Sequence, residues 1–331
     1  MKKKTSRREF IKKAASGAAG LGLASAAPAV FTSRSGLYAR GKSRVVISSA
    51  ATGPGAEEIR SVLCRSVMVL TGSRSSKDGW LKLFRPDETV GIKVNAIAGR
   101  RLSSSPMITR VLAEELIKAG LKAENIIVWD RTERELTSAG YEINKSGSGI
   151  RYVGTDSFKR GGYGGRIQFA GEVGSLFSDI MTLCDAHINL PVLKDHDIAG
   201  LSFGMKNWFG AIHNPNKYHD NNCSPYVADL STHPLIKDKL RLIVGDALLV
   251  QPHGGPGYKP QWAVDLNSVL MATDPVAIDA VGLRILNELR KRKGLGSLKE
   301  AGRYPKYLPV AERYKLGNFD PSHINKTEVT I

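Results

Sequence analysis

The chain has little cysteine: three in 331 residues, Cys64, Cys184 and Cys223, far apart and with no C-x-x-C pair. An iron–sulfur cubane needs four thiolates, so this chain alone is not expected to hold one. One disulfide is permissible in an oxidising compartment. Cys64 lies in a helix-like apolar run and Cys184 just before a predicted strand, however, which points to buried free thiols. Acidic residues are also short, 31 against 48 Lys and Arg, for a formal charge of +17. Beyond the N-terminus no apolar run is long enough to span a bilayer, which excludes a permanent membrane anchor there. Three catalytic or phosphate-binding signatures are missing as well: the Gly-x-Ser-x-Gly elbow, the Walker loop and the Gly-x-Gly-x-x-Gly dinucleotide turn. GGYGG at 161–165 has no strand before it.

The first thirty residues are informative in their own right. MKKKTSRREFIKK places Arg7 and Arg8 before Phe10 and Lys12, and a weakly apolar Ala/Gly/Leu stretch runs on to Val30. This pattern resembles a twin-arginine export signal, with small-x-small cleavage sites at 24–26 and 27–29. The expected organisation is a signal peptide over 1–29 and a mature α/β domain over 30–331. The twin-arginine translocase and a signal peptidase are the implied partners, and the periplasm or the cell exterior is the destination. Twin-arginine substrates cross the membrane already folded, often because a cofactor is inserted first, which favours a bound group without naming it. Residues 1–27 carry seven Lys/Arg against Glu9, so +6 belongs to the leader and +11 remains. A basic exported protein suits an anionic ligand, an acidic glycan or a membrane surface. Nucleic acid is not expected, since no recognition motif is present.

Strand-like and helix-like segments then alternate. Strands are predicted at 44–48, 89–95, 125–130, 187–193, 241–250 and 267–272. Helices are predicted at 56–70, 106–119 (Ser105 as cap, Gly120 as stop), 133–139 and 275–290. Residues 145–174, rich in Gly, Ser and Arg, read as a long loop or irregular hairpin, and the tail from Lys291 as a surface cover. The repetition predicts an α/β fold, a mostly parallel sheet with helices on both faces, as one unit or two lobes. In such sheets ligands bind beyond the carboxyl ends of the strands. Lys93 and Asn95, Asp130, Lys194 and His196, Asp246, and Asp274 all sit at or near such ends.

The segment LPVLKDHDIAGLSFGMKNWFGAIHNPNKYH, 190–219, gathers three lysines and three histidines around Gly200 and Gly204. Only Asp195, Asp197 and Asp220 lie near enough in sequence to balance Lys194, Lys206 and Lys217. A site for an external carboxylate or phosphate is the functional reading; solvated or distantly paired lysines are the alternative. His196, His213 and His219, with Asp246 or Asp274, are candidate ligands for a divalent metal, although their spacing matches no standard zinc motif. His219 with Cys223 is a softer pair. Alternatively, a neutral His196 beside Asp197 supplies a general base.

PVLKDH, GMKNWFG, VGDAL, GGPG and ATDPVAIDAV occur in this order. With them the chain resembles the family catalogued as domain of unknown function 362, over about residues 90–320. That family's pattern is an apolar strand into Pro-x-Leu-Lys-x-His, then Gly-x-Lys-Asn-x-x-Gly, a downstream Asp, a Gly-Pro step and Asp-Pro-x-Ala-x-Asp. The resemblance adds Asp279 to the ligand-binding candidates Lys93, Asn95, Lys206, Asn207, Lys217, Asp246 and Asp274. His196, Lys194 and Asp197 are the catalytic candidates. Some relatives carry ferredoxin-like cluster domains, whose cysteine runs are missing here, so a redox role does not carry over from those relatives and a redox partner is left unnamed. Three classes stay open. One is an enzyme acting on an anionic small molecule, with or without metal. The others are an anionic-solute-binding protein and an accessory protein of an exported redox complex. If the leader is of the twin-arginine type, Arg7→Lys with Arg8→Lys leaves the precursor in the cytoplasm; unaltered secretion of that double variant, read by cell fractionation, would refute it.

Overall fold

The apolar runs Val90–Val94 (β2) and Ile126–Asp130 (β3) are buried at every residue, as strands covered on both faces must be. The computed structural model describes residues 41–50, 53–145 and 148–330. The predicted signal peptide lies outside them. The other strands are β1 (Ser43–Ser49), β4 (Arg151–Gly154), β5 (Gln168–Ala170), β6 (Val173–Ser175), β7 (Ala186–Leu190), β8 (Val192–His196), β9 (Gly200–Ser202), β10 (Leu240–Gln251), β11 (Val264–Ala272) and β12 (Ile324–Thr330). Helices of five residues or more are α1 (Ala56–Thr71), α2 (Ser76–Leu83), α3 (Pro106–Ala119), α4 (Glu133–Ala139), α5 (Asp179–Leu183), α6 (Tyr226–Thr232), α7 (Pro275–Arg292) and α8 (Tyr307–Arg313).

The main sheet runs β12-β1-β11-β10-β7-β2-β3-β4, with β8 paired to β10 and β9 to β8. Six of its pairings are parallel; β1–β11, β10–β11 and β8–β9 are antiparallel. Helices α1 to α4 pack one face through residues such as Leu63, Trp80, Leu112 and Leu136. Helices α5 to α8 cover the other through Ile180, Leu230, Leu286 and Tyr307. The mixed α/β sheet with helices on both faces is thus present. Of the two organisations expected, the described residues fall in one compact unit.

Local chemistry sets several boundaries. Ser105 caps α3, accepting from the Ile108 amide, Pro106 opens the helix, and the Gly120 amide closes it on the Ile117 carbonyl. The strand predicted at 187–193 is two strands, because Pro191 has no N–H to continue the ladder. Its carbonyl still accepts from the Asp246 amide at 2.8 Å, keeping β7 and β8 in line along β10. Two other expectations need correction. The stretch 145–174 is not all loop: it contributes edge strand β4 and the hairpin β5–β6. The tail does more than cover the surface. It supplies β12, and Leu298, Tyr307 and Leu308 are fully buried. All three cysteines are free; Cys184 and Cys223 are buried and Cys64 is half-buried.

The tail also fixes the β8–β9 hairpin. Gly200 has φ +74, and a Cβ there would lie 1.8 Å from the Arg303 carbonyl oxygen. Arg303 Nη1 donates to Asp195 Oδ1 at 2.7 Å and to the His196 carbonyl at 3.2 Å. Gly200→Ala therefore combines left-handed strain with a backbone clash, and is expected to cost about 3 kcal/mol in urea unfolding. Gly41→Ala, with open space around it, should stay within about 0.5 kcal/mol. Equal effects of the two would refute the docking.

Candidate functional site

Parallel strands β2, β3 and β8 end at one rim, and the polar residues at their ends line a cleft of about 230 Å³. Lys93, Asn95, Asp130, His196, Lys206 and Asn207 face it, joined by Arg131, Ser202, Phe209 and His219. The 3-10 turn Lys206–Ala211 brings up Lys206 and Asn207. Asp279, fully buried on α7, accepts from the Gly204 amide at 2.7 Å and the Met205 amide at 3.1 Å. This fastens the start of that turn. A Cβ on Gly204 would meet Asp279 Oδ1 at 2.8 Å, so the residue must be small. Burial raises the Asp279 carboxyl to about 8 despite the two amide donors.

A chain of directed hydrogen bonds organises the floor. Lys194 Nζ donates to Asn95 Oδ1 (2.8 Å), and Asn95 Nδ2 to Asn207 Oδ1 (3.1 Å). Asn207 Nδ2 donates to Asn189 Oδ1 (2.7 Å), and Asn189 Nδ2 to the Gly204 carbonyl (2.6 Å). Lys194 Nζ, which also donates to the Leu102 carbonyl, starts the chain as a donor, and a carbonyl, which can only accept, ends it. Each carboxamide is thereby fixed in one orientation.

Three buried lysines meet different partners. Lys93 is 1% exposed and pairs with Asp130 Oδ1 at 2.6 Å. The second Asp130 oxygen takes the Ala96 amide at 2.7 Å. Lys194, fully buried, has Asn95 and the Leu102 carbonyl as partners, and burial lowers its pKa to about 7, with Lys206 adding to the effect and Asp130 opposing it. Lys206 touches His219 Nε2 at 3.2 Å and lies 4.3 Å over the Phe209 ring; burial lowers it to about 8. Among the described residues no carboxylate lies within ion-pair distance of Lys194 or Lys206, which leaves two buried amino groups without an ion-pair partner inside the site.

The histidines also resolve into distinct roles. His196 Nδ1 accepts from the Ile198 amide (3.2 Å) and the Ala199 amide (3.3 Å), so the ring proton of the neutral form is on Nε2. Burial, then Lys206 and His219, lower its pKa to about 2. The 3.1 Å approach of Asp197 Oδ1 is therefore a contact with a neutral ring, and Asp197 itself points mostly to solvent. This arrangement does not suit the general-base role expected for His196: its basic nitrogen is already engaged, and what remains is a neutral donor. His219 stacks on His196 with centroids 5.4 Å apart. Its Nδ1 lies 3.0 Å from the Pro215 carbonyl, so Nδ1 carries the proton and the Nε2 lone pair faces Lys206.

Other expected residues lie elsewhere. His213 is exposed, its Nδ1 accepting from the Leu176 amide at 2.9 Å, and it does not line the cleft. Among the described residues no group of three or more His, Cys, Asp or Glu is placed to hold a metal ion, so the metal set His196, His213 and His219 is not assembled. Lys217 is exposed and outside the cleft. Asp246 accepts from the Ser105 amide (2.8 Å) and the Leu248 amide (3.0 Å), and it opens on a separate depression beside Arg100 and Arg101. Burial raises it to about 6. Asp274 caps α7, accepting from the Val276 and Ala277 amides, and also holds the Asn318 amide. It ties elements together and takes no part in the cleft. Asn189, Arg131, Ser202 and Phe209 were not among the expected site residues. Asn189 left one signal, a carboxamide inside the apolar strand AHINL.

The model of the family described as Domain of unknown function (DUF362) matches residues 90–284, which include every cleft residue named above. No curated protein matches the chain. Among solved structures, a protein from Thermotoga maritima aligns at 11% identity and TM-score 0.43, over 78% of this chain and 59% of its own. The lactate racemase apoprotein from Thermoanaerobacterium thermosaccharolyticum aligns at 14% identity and TM-score 0.42, over 74% of this chain and 57% of its own. The chain thus spans less than two thirds of either protein.

Lys194 provides a test of the site's charge. Its folded pKa, about 7, lies below the ordinary lysine value of 10.5, so between the two values the unfolded chain binds more protons and stability rises with pH. From about pH 7 to about pH 9.5, urea unfolding should move in favour of the wild type over Lys194→Met by about 3 kcal/mol. A constant difference would show that Lys194 is not a buried, uncompensated cation.

Proposed function

The chain belongs to the family described as Domain of unknown function (DUF362), and from that starting point we propose that it is an exported enzyme acting on an anionic small molecule in the cleft at the strand ends. One observation carries this reading: Lys194 and Lys206 are buried together without a carboxylate partner. Burying an unpaired ammonium costs several kcal/mol, a cost that a bound carboxylate or phosphate would offset.

In this reading Lys206 provides the charge for the ligand's anionic oxygen. The Nε2–H of His196 adds a neutral donor that needs no protonation. Arg131 stands at the rim, where a charged ligand enters. Lys194, behind Asn95, acts through the amide chain, keeping Asn95 and Asn207 in one orientation as the ligand arrives. His219 accepts from Lys206 and gives the site a proton acceptor, which a pure solute-binding protein does not need. Export through the twin-arginine route, with the enzyme working outside the cytoplasm, remains part of the proposal.

The test is binding, then turnover. Calorimetry with inorganic phosphate and small carboxylates should give saturable binding to the wild type. Lys206→Ala should weaken it by about 2 kcal/mol or more, roughly thirtyfold. Phe169→Ala, an exposed residue of the β5–β6 hairpin, should not change it. Absence of any anion binding would refute the reading. Tight binding of an organic anion co-purified from the exported pool and never converted would make the protein a solute carrier instead.

A further inference from the structure

Resting on that reading, we propose that Lys206 is a nucleophilic amine that condenses with the carbonyl group of a 2-oxo acid held in the cleft. Of the three buried lysines, only this one is placed for it. Lys93 donates to Asp130 at 2.6 Å and to the Val94 carbonyl at 2.7 Å and is taken up by those partners. Lys194 is committed to Asn95 and Leu102 and does not line the cleft. Lys206 lines it at 7% exposure, with the face of Phe209 on one side and a nitrogen lone pair, His219 Nε2, on the other.

The arrangement gives the proton a place to go. His219 keeps its own proton on Nδ1, against the Pro215 carbonyl, and its Nε2 can take one from the Lys206 ammonium. The free amine then attacks the carbonyl carbon as the C=O π pair moves to oxygen, which takes the proton back from His219. This forms a carbinolamine whose nitrogen still carries two protons. One of them passes by His219 Nε2 to the hydroxyl, which leaves as water, and a protonated C=N bond remains. One ammonium and one carbonyl give one protonated imine and one water, and neither oxidant nor reductant is consumed. The 2-oxo acid supplies both features the cleft calls for, a carboxylate for Arg131 and the His196 Nε2–H, and an adjacent electrophilic carbon for the Lys206 amine. Burial and the lack of a carboxylate partner both favour the uncharged amine, the usual way a protein activates a lysine.

The experiment is reductive trapping on the full chain. Protein incubated with pyruvate or glyoxylate and treated with borohydride is digested and mapped by mass spectrometry, while thermal unfolding with each acid, without borohydride, reports binding. Lys206 should be labelled about tenfold or more faster than exposed Lys217 in the same digest, because more of it is uncharged near neutral pH. His219→Ala should slow the labelling while leaving the thermal shift in place. This comparison within the wild type does not depend on Lys206→Arg folding; where that variant folds, the label should be lost. A thermal shift without a Lys206 label would overturn the imine and leave the anion site standing. Absence of both shift and label, with inorganic phosphate also inert, would overturn both. Labelling spread evenly over surface lysines would overturn the imine as well.

Discussion

The interaction on which the site depends is the bond from a buried ammonium, Lys194 Nζ, to one carboxamide oxygen, Asn95 Oδ1. From it the donor–acceptor direction of Asn95, Asn207 and Asn189 follows as far as the Gly204 carbonyl. Four pieces of chain are joined this way: β8, the exit of β2, the turn after Gly204, and β7. An apolar core could hold the same elements together more cheaply, since buried charges are often replaceable by well-packed hydrophobes. What an apolar core cannot do is fix the orientation of polar groups at a cleft. The polar chain is therefore better understood as the organiser of the site than as a source of stability.

Around this chain, one strand-end rim gives three lysines three different environments. Paired with Asp130, Lys93 is a structural cation. Lys194 is a donor whose charge is poorly compensated, and Lys206 a donor to a histidine nitrogen beside an aromatic face. The difference lies in what the neighbouring segment places opposite: a carboxylate on β3, a carboxamide just past β2, or an imidazole after the 3-10 turn Pro215–Tyr218. The segment leaving this corner is also strained. Asn221, Asn222 and Cys223 take φ of +46, +56 and +60 in succession, and Cys223 is fully buried. Left-handed residues other than glycine cost of order 1 kcal/mol or more each, and asparagine tolerates them best. The chain accepts this where it turns away from His219 toward α6, and Asn222 Nδ2 is anchored there on the Gly302 carbonyl at 3.0 Å.

Much of the fold was readable because local signals and tertiary structure agree. The cap at Ser105, the stops at Gly120 and Gly140, and the apolar run of β3 each depend on neighbours in sequence. At the site, Lys93, Asn95 and His196 were legible because strand ends in a parallel sheet share an edge, whereas Lys206, Asn207 and His219 stood out through the Lys- and His-rich segment 190–219. Direction was not legible. Lys217 and His213 come from the same segment as Lys206 and His219, yet they point to solvent, since the turn after Gly210 rather than proximity in sequence sets where a side chain faces. Asp246, midway along β10, and Asp274, just past the end of β11, are also sheet carboxylates, but backbone amides claim both. β12 escaped notice because it pairs along one edge only and has mostly half-exposed or exposed residues, leaving little apolar periodicity to read.

The contact least visible in the sequence is the one that links the tail to the chemistry. Arg303 and Asp195 are 108 residues apart and meet at 2.7 Å, with Asp195 fully buried. The Gly255 amide approaches the other Asp195 oxygen at 3.1 Å. Asp195 is the x of the motif Pro-x-Leu-Lys-x-His, lying between Lys194 and His196. Alternation along β8 sends its side chain to the face opposite theirs. The strand is therefore gripped from behind by a carboxylate that never reaches the cleft, while on its other face His196 lines the cleft and Lys194 supports Asn95 behind it. A free strand end would let Lys194 and His196 drift with the loop that follows. Clamped by Arg303 and Gly255, it gives them a fixed origin, and the precision of the amide chain extends as far as the cleft.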